Sequence, residues 1–397
     1  MEKGVYIPNP ETVYISGDVD INRISGEGVS LFNGTKLAGK RTLIMEGTRL
    51  GYEAPVTLEN CLVGPKTQLN GGFFQDTVFM GENIFGSNAH VRKGTILEEQ
   101  ANAAHTVGLK QTILFPFVTL GSLINFCDCL MAGGTSRKNH SEVGSSFIHF
   151  NYTPNQDKAT PSMMGNVHQG VMLDQPPIFM GGQGGIVGPA RIGFGCISAA
   201  GSIIRKSENR SGRLIMGGGL KNGSIPWQPG VYTQSEKIMD HNLSYIAELF
   251  ALNTWYHNVR PLFAKEFLAQ ELVKGLQKNL EICIQERINR LISFGEKLKN
   301  SKDILEKKNN GQGRPTLDTH NRVLRILAHA KDVFYEENPN TSPDKNGDIF
   351  LSAIHTAIAR QGRDYIAVIQ GLESDTTAAG SAWLAATQTQ IIDRIKI

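Results

Sequence analysis

From residue 180 onward the chain repeats with a period of six. Met180, Ile186, Ile192, Ser198 and Ile204 share one phase, Gly184, Ala190, Cys196 and Ser202 share the phase four residues later, and Gly181, Val187, Gly193 and Ala199 follow directly after the first set. A period this short leaves room only for a brief strand and a corner. Three hexads then close one triangular coil, with the aliphatic residue pointing inward and small residues letting the backbone turn. Such a coil buries its faces only on its neighbours, so several must stack. Fainter copies of the signature stand at Leu50-Gly51, Val63-Gly64, Met80-Gly81, Val107-Gly108, Leu120-Gly121, Val143-Gly144 and Met164-Gly165. Residues 13 to 206 are therefore expected to form a β-solenoid of parallel strands interrupted by loops. A glycine-rich sandwich would instead show alternating strands at hairpin spacing. The longest interruption expected is the insert 153–177, which holds Pro154, Pro161, Pro176 and Pro177.

Glycine marks where this architecture ends: 35 of 43 lie in the first 230 residues. Two domains are expected, a β-helix over 1–234 and an all-α region over 235–397. Leu268, Leu272, Leu276, Leu280, Ile284 and Ile288 form an i,i+4 stripe, with Pro261 before it and Gly295 near its end. Bundle packing or a subunit contact is the expected use of that stripe. Further helices are expected at about 237–258, 317–336, 348–373 and 376–396, with 301–315 as a surface loop.

Composition narrows the function. A net charge of +3 without a long basic run gives no electrostatic basis for nucleic-acid binding. No apolar segment is long enough to span a membrane, and the first residues lack the blocks of a secretion signal, so a cytoplasmic location is expected. Cys61, Cys127, Cys129, Cys196 and Cys283 fit reduced thiols. The Cys127-x-Cys129 spacing places both on one side of a strand, as a core pair.

Phe179-Met180-Gly181 through Arg205-Lys206 resembles the last coils of the left-handed β-helix (hexapeptide-repeat) acyltransferases, above all the acetyltransferase half of the bifunctional N-acetylglucosamine-1-phosphate uridyltransferases. Phe150-Asn151-Tyr152, followed by Lys158, is similar to that family's Cys-Asn-Tyr-Asp-Gly loop, and Arg137-Lys138-Asn139-His140 to its Lys-x-Asn-His segment. The run from Leu120 to Tyr152 looks closest to bacterial sequences described as UDP-N-acetylglucosamine pyrophosphorylase-related. A pyrophosphorylase needs a Leu-x-x-Gly-x-Gly-Thr-Arg-Met-type phosphate loop, and the sequence contains none, so that activity is not expected of this polypeptide alone.

The resemblance implies acetyl transfer from acetyl-CoA to an amino sugar phosphate or a nucleotide-linked sugar, in a homotrimer. It makes His140 the general base with His149 as the second candidate, and gives Asn151 and Tyr152 the task of orienting substrate and acyl group. Lys158, Arg137 and Lys138, with Lys110 in reserve, would meet a phosphate. Gly182, at a position where the family carries a hydroxyl, and Ala200 would flank the pantetheine arm, with Arg205 and Lys206 on the coenzyme phosphates. The family's phosphate-binding Arg and Lys find no counterpart in Phe117–Leu120 or Asn125–Cys127. The alternative is a sugar-nucleotide-binding or assembly protein without turnover. Zinc of the γ-carbonic anhydrase kind calls for two histidines five residues apart; His140 and His149 are nine apart, so no metal is expected.

Overall fold

A computed structural model describes residues 3–219, 222–307, 314–337 and 343–396. Parallel strands stack in three faces of one prism. Face I is a single 10-stranded sheet running from Ser30–Leu31 to Leu214–Ile215. Face II begins at Tyr14–Ile15 and ends at Ile203–Ile204, and face III runs from Leu43–Ile44 to Arg191–Ile192. Two longer strands, Gly108–Leu114 and Asn125–Met131, pass from face II into face III without a break. The hexad phase is the interior: Met180, Ile186, Ile192, Ser198 and Ile204 are all at most 2% exposed.

Register partners on face I show where the solenoid is interrupted. Ser30, Arg49 and Gln68 are regularly spaced, whereas Thr119 pairs with Glu142 and Glu142 with Phe179. The first enlarged coil holds an antiparallel hairpin, Gly134–Ser136 with Asn139–His140. The second holds 151–178, and this segment is not one unbroken loop. Ser162–Met164 is a face III strand between Asn125–Met131 and Arg191–Ile192, followed by the short helix α1 (Val167–Gly170).

The corner between faces II and III turns without glycine at several levels. Asn60, Asp76, Gln111 and Asp128 adopt φ of 54°, 45°, 51° and 63° there. Polar side chains tolerate this left-handed conformation better than branched ones. At this corner Asp128 also separates the two cysteines expected to face one way. Cys129 is fully buried, while Cys127 is half-buried and faces a cavity outside the prism.

Helices follow from Ser235: α2 (Ser235–Asn258), α3 (Phe267–Lys307), α4 (Arg314–Glu336), α5 (Lys345–Gln361), α6 (Tyr365–Gln370) and α7 (Ser374–Lys396). The expected 348–373 helix is two, broken at Gly362, whose φ is +89°. The loop expected from 301 begins later, because α3 continues to Lys307. Leu298 and Ser301 are fully buried, and Ser301 meets Tyr232 N–H and His320 Nε2. Residues 308–313 lie outside the described residues.

The Leu272–Ile288 stripe packs within the helical layer. A second stripe on α3 docks on the solenoid. Gly275 lies against Leu62, Asn279 Nδ2 donates to the carbonyls of Asp76 and Thr95, Cys283 Sγ lies 3.0 Å from the Gly94 carbonyl, and Arg287 pairs with Asp128. From Gly275 to Arg287 the helix advances about 18 Å. The matching face III positions, Leu62, Val78, Ile96, Ile113 and Leu130, are four rungs, roughly 19 Å. The helix therefore runs along the solenoid axis, its four docking residues touching four of the five coils, with Asn279 bridging two of them.

Candidate functional site

Where α3 passes the corner at Asp128, a chamber of about 200 Å³ remains between helix and solenoid. Face II supplies Arg92, Lys110, Asn125 and Cys127; the corner supplies Asp128; the following segment supplies Asn151 and Lys158; α3 supplies Glu286, Arg287 and Arg290. Register explains the gathering. His90 and Val91 pair with Gly108 and Leu109, so Arg92 and Lys110 stand on adjacent rungs, and Lys110 pairs with Cys127. Rungs are about 4.8 Å apart, which sets the two cationic side chains beside each other.

Two of the chamber's five cations are committed to carboxylates. Arg287 Nη2 is 2.8 Å from Asp128 Oδ1, with both side chains buried, and Arg290 Nη2 is 2.7 Å from Glu286 Oε1. Asn151 Nδ2 donates to the other Asp128 oxygen at 2.8 Å, and Arg287 Nη1 donates to the Lys158 carbonyl at 3.3 Å. Among the described residues the side chains of Arg92, Lys110 and Lys158 have no hydrogen-bond or ion-pair partner. Burial holds the Lys110 ammonium below its usual pKa, with Glu286 opposing and Lys158 and Arg92 adding to the shift. Lys110 and Lys158, half-buried, and Arg92, exposed at the rim, thus bring three unmatched positive charges to one partly enclosed space.

The segment carrying Asn151 and Lys158 is pinned from the helical side. Lys297 Nζ donates to the Asn155 and Gln156 carbonyls, Tyr232 Oη donates to Asp157 Oδ2 at 2.8 Å, and Asn242 Nδ2 donates to the Ala159 carbonyl. Tyr152 points away and is 55% exposed.

The histidines lie elsewhere. His149 is inside the prism, where Nδ1 donates to the Cys127 carbonyl and Nε2 accepts from Ser162 Oγ at 2.9 Å. Burial lowers its pKa to about 4, so the ring is neutral with both nitrogens occupied. His140 belongs to the hairpin at the corner between faces III and I, with Nδ1 3.0 Å from the Arg137 carbonyl and Nε2 3.6 Å from Glu142 Oε2. Arg137 fastens that hairpin to earlier coils, donating to the Gln100 and Phe117 carbonyls and to Thr119 Oγ1. Lys138 is exposed beside it.

The residues expected to meet coenzyme A are on later coils. Gly182 and Ala200 follow face I strands, at the corner leading to face II. A Cβ at Gly182 would stand 2.7 Å from the Ser145 carbonyl oxygen, so a hydroxyl-bearing side chain does not fit without a backbone shift. Through Cys127, Phe150 and Val187, Arg205 stands in the register column of Lys110, four rungs or roughly 19 Å away. Its Nη1 donates to the Ile203 and Gly218 carbonyls; Lys206 is exposed.

The structure thus brings together Asn151 and Lys158 with Lys110, and adds Arg92 and Arg287. Arg92 and Lys110 are 18 residues apart, one full coil, and that spacing is the signal that identifies them in sequence. A larger recess of about 340 Å³, between Met80, Phe263, Leu272 and Tyr365, holds none of the sequence-derived site residues. Among the described residues no group of three or more His, Cys, Asp or Glu is placed to hold a metal ion. No described helix is long and apolar enough to cross a membrane.

No protein-family model matches the chain. It is similar to the bifunctional protein GlmU of Corynebacterium jeikeium, with 25% identity over 57% of this chain and 41% of that protein. The Thermotoga maritima GlmU is 25% identical over 51% of this chain and 40% of its own length. That of Thermus thermophilus is 29% identical over 38% and 31%. The chain thus spans about two-fifths or less of the length of these curated relatives. Weak similarity over about half the chain, together with the solenoid, fits the resemblance to a hexapeptide-repeat acetyltransferase.

Proposed function

We propose that this protein transfers an acetyl group from acetyl-CoA to an amino sugar phosphate or a nucleotide-linked sugar, and that the chamber beneath α3 receives the sugar's phosphate. The observation that carries the reading is the set Arg92, Lys110 and Lys158, three unpartnered cations that line one partly enclosed cavity with Asn151. Phosphate oxygens would take up these charges, and Asn151, held by Asp128, would orient the group next to them. The GlmU similarity supports acetyl-CoA as the donor. Arg205 and Lys206, several coils on, suit the coenzyme's phosphates, with Gly182 and Ala200 lining the path of its pantetheine arm. His140, with a side chain 20% exposed, is the histidine available as a base, and His149 is tied inside the prism. The outward column of Phe179, Ile197 and Leu214 on face I, each at least 40% exposed, supports assembly into the homotrimer the resemblance implies.

One observation favours a second reading, a sugar-nucleotide-binding protein without turnover: no histidine lines the chamber. Calorimetry separates the two. Under the first reading acetyl-CoA and a phosphorylated amino sugar both bind, and Lys110→Ala weakens the sugar ligand about tenfold. Sugar-phosphate binding with no acetyl-CoA binding at millimolar concentration selects the second. An unchanged affinity in Lys110→Ala removes the chamber from both.

A further inference from the structure

The chamber contains an anion of its own. Glu286 of α3 lines it beside Arg290, and Lys110 feels the Glu286 charge more than that of any other residue. Asp128, the other carboxylate, is neutralised by the buried Arg287 at 2.8 Å and accepts from Asn151, so it is fixed in the wall. Glu286 differs. Its partner Arg290 is on the same helix, one turn away, and is 35% exposed, so the pair can open without moving the backbone. The Glu286 carboxylate lines the same chamber as the three unmatched cations.

We infer that Glu286 is an internal counter-anion of the chamber, which competes with a ligand's phosphate and tilts the site toward the less charged of two phosphate ligands. The inference rests on the phosphate reading of the chamber given above. Repulsion between a fixed carboxylate and a bound anion grows in proportion to the anion's charge. Glu286 therefore opposes a diphosphate more than a monophosphate. Removing its charge also frees Arg290, which adds a fourth unmatched cation.

The test uses the full chain at pH 8 with inorganic phosphate and pyrophosphate as probes, followed by calorimetry on wild type, Glu286→Gln, Glu281→Gln and Lys110→Ala. Glu286→Gln is close to isosteric at the chamber wall. Glu281 lies on the same helix outside the chamber, 48% exposed and paired with Lys278, so Glu281→Gln changes the net charge equally. With about two charges on phosphate and three on pyrophosphate, Glu286→Gln is expected to tighten the first about tenfold and the second about thirtyfold. Glu281→Gln changes either by less than about twofold, because solvent and salt screen its charge. Equal tightening by both glutamine variants, or none by Glu286→Gln, overturns the counter-anion. Wild type that binds neither probe, or binding untouched by Lys110→Ala, instead overturns the phosphate reading beneath it.

Discussion

The Arg287–Asp128 pair is the buried ion pair that holds α3 to the solenoid beside the chamber, and its energetics can be worked from the geometry. Arg287 is 2% exposed and Asp128 6%, so neither charge can fall back on water once its partner is gone. Breaking a buried pair by removing one member costs about 3–5 kcal/mol, most of it the desolvation of the charge left behind. Arg287→Met strands the Asp128 carboxylate with the Asn151 donor alone, and also removes the bond to the Lys158 carbonyl. Asp128→Asn strands the guanidinium, but asparagine tolerates the left-handed backbone at φ 63°, so the charge is removed without backbone strain. Asp128→Ala would add about 1–2 kcal/mol of such strain. The double variant Asp128→Asn/Arg287→Met leaves no buried charge and is expected to regain most of what Arg287→Met loses. Urea unfolding gives the stabilities, and amide hydrogen exchange along α3 shows whether opening is local to the docked segment. A loss below about 1 kcal/mol in Arg287→Met, or a double variant no better than the single, would refute the clamp.

Gly275→Ala tests the close approach of α3. Alanine favours a helix by about 1 kcal/mol over glycine, yet the new Cβ would stand 2.1 Å from Leu62 Cδ2, and Leu62 is 1% exposed. Overpacking of about 1–3 kcal/mol is expected to win, giving a lower Tm; a higher one refutes the contact. Glu248 lies buried between α2 and α7, accepting from Val167 N–H and Gln388 Nε2, and burial raises its pKa to about 7. Its folded pKa exceeds the unfolded value, so its contribution to stability is present below about pH 4.5 and is lost as pH rises through 7. Glu248→Gln should therefore gain on wild type between pH 5 and 8, by up to about 3 kcal/mol, as read from unfolding curves across that range. His149→Ala removes two internal hydrogen bonds, and about 2–3 kcal/mol of stability is expected to go with them while phosphate affinity stays within twofold. A loss of affinity without loss of stability would place that ring in the site after all.

The solenoid was legible in sequence where its interior is strictest. From Ala190 to Ile204 each face buries a small residue (Ala190, Cys196 or Ser202) two places before Ile192, Ser198 or Ile204, so the six-residue period survives in the sequence. Nearer the N-terminus the corner residues are Asn60, Asp76, Gln111 and Asp128 rather than glycine, and the apolar-glycine signature fades although the coils continue. Ser162–Met164 leaves only the faint Met164-Gly165 mark for a related reason: three residues carry little periodicity of their own, and pairing with Cys129–Met131 on one side and Arg191–Ile192 on the other makes them a strand. The chamber is a product of register. Its cations lie at 92, 110, 158, 287 and 290, and apart from the one-coil spacing of the first two and the helical turn between the last two nothing in the sequence relates them. His140 enters through the resemblance of Arg137-Lys138-Asn139-His140 to a Lys-x-Asn-His segment, and here that segment is a hairpin whose Arg137 is spent on holding it down.

The docking stripe of α3 was invisible because its four members share no chemistry, and that lack of likeness is what shapes the site. Four helical residues advance about 6 Å while one coil advances about 4.8 Å, so helix and solenoid drift out of step and each docking side chain meets a different part of a coil. Gly275 brings the two backbones nearest, Asn279 and Cys283 reach carbonyl oxygens across a short gap, and Arg287 needs its full length to reach Asp128. The helix thus stands farther from the solenoid at Arg287 than at Gly275. The space opened under it is the chamber, at the one level where adjacent rungs present Arg92 and Lys110. A helix lying flat would have filled the space with side chains; one without the Arg287 anchor would have left it open to solvent. The helical region therefore does more than cover face III: its position gives the chamber its wall, its internal carboxylate and its size.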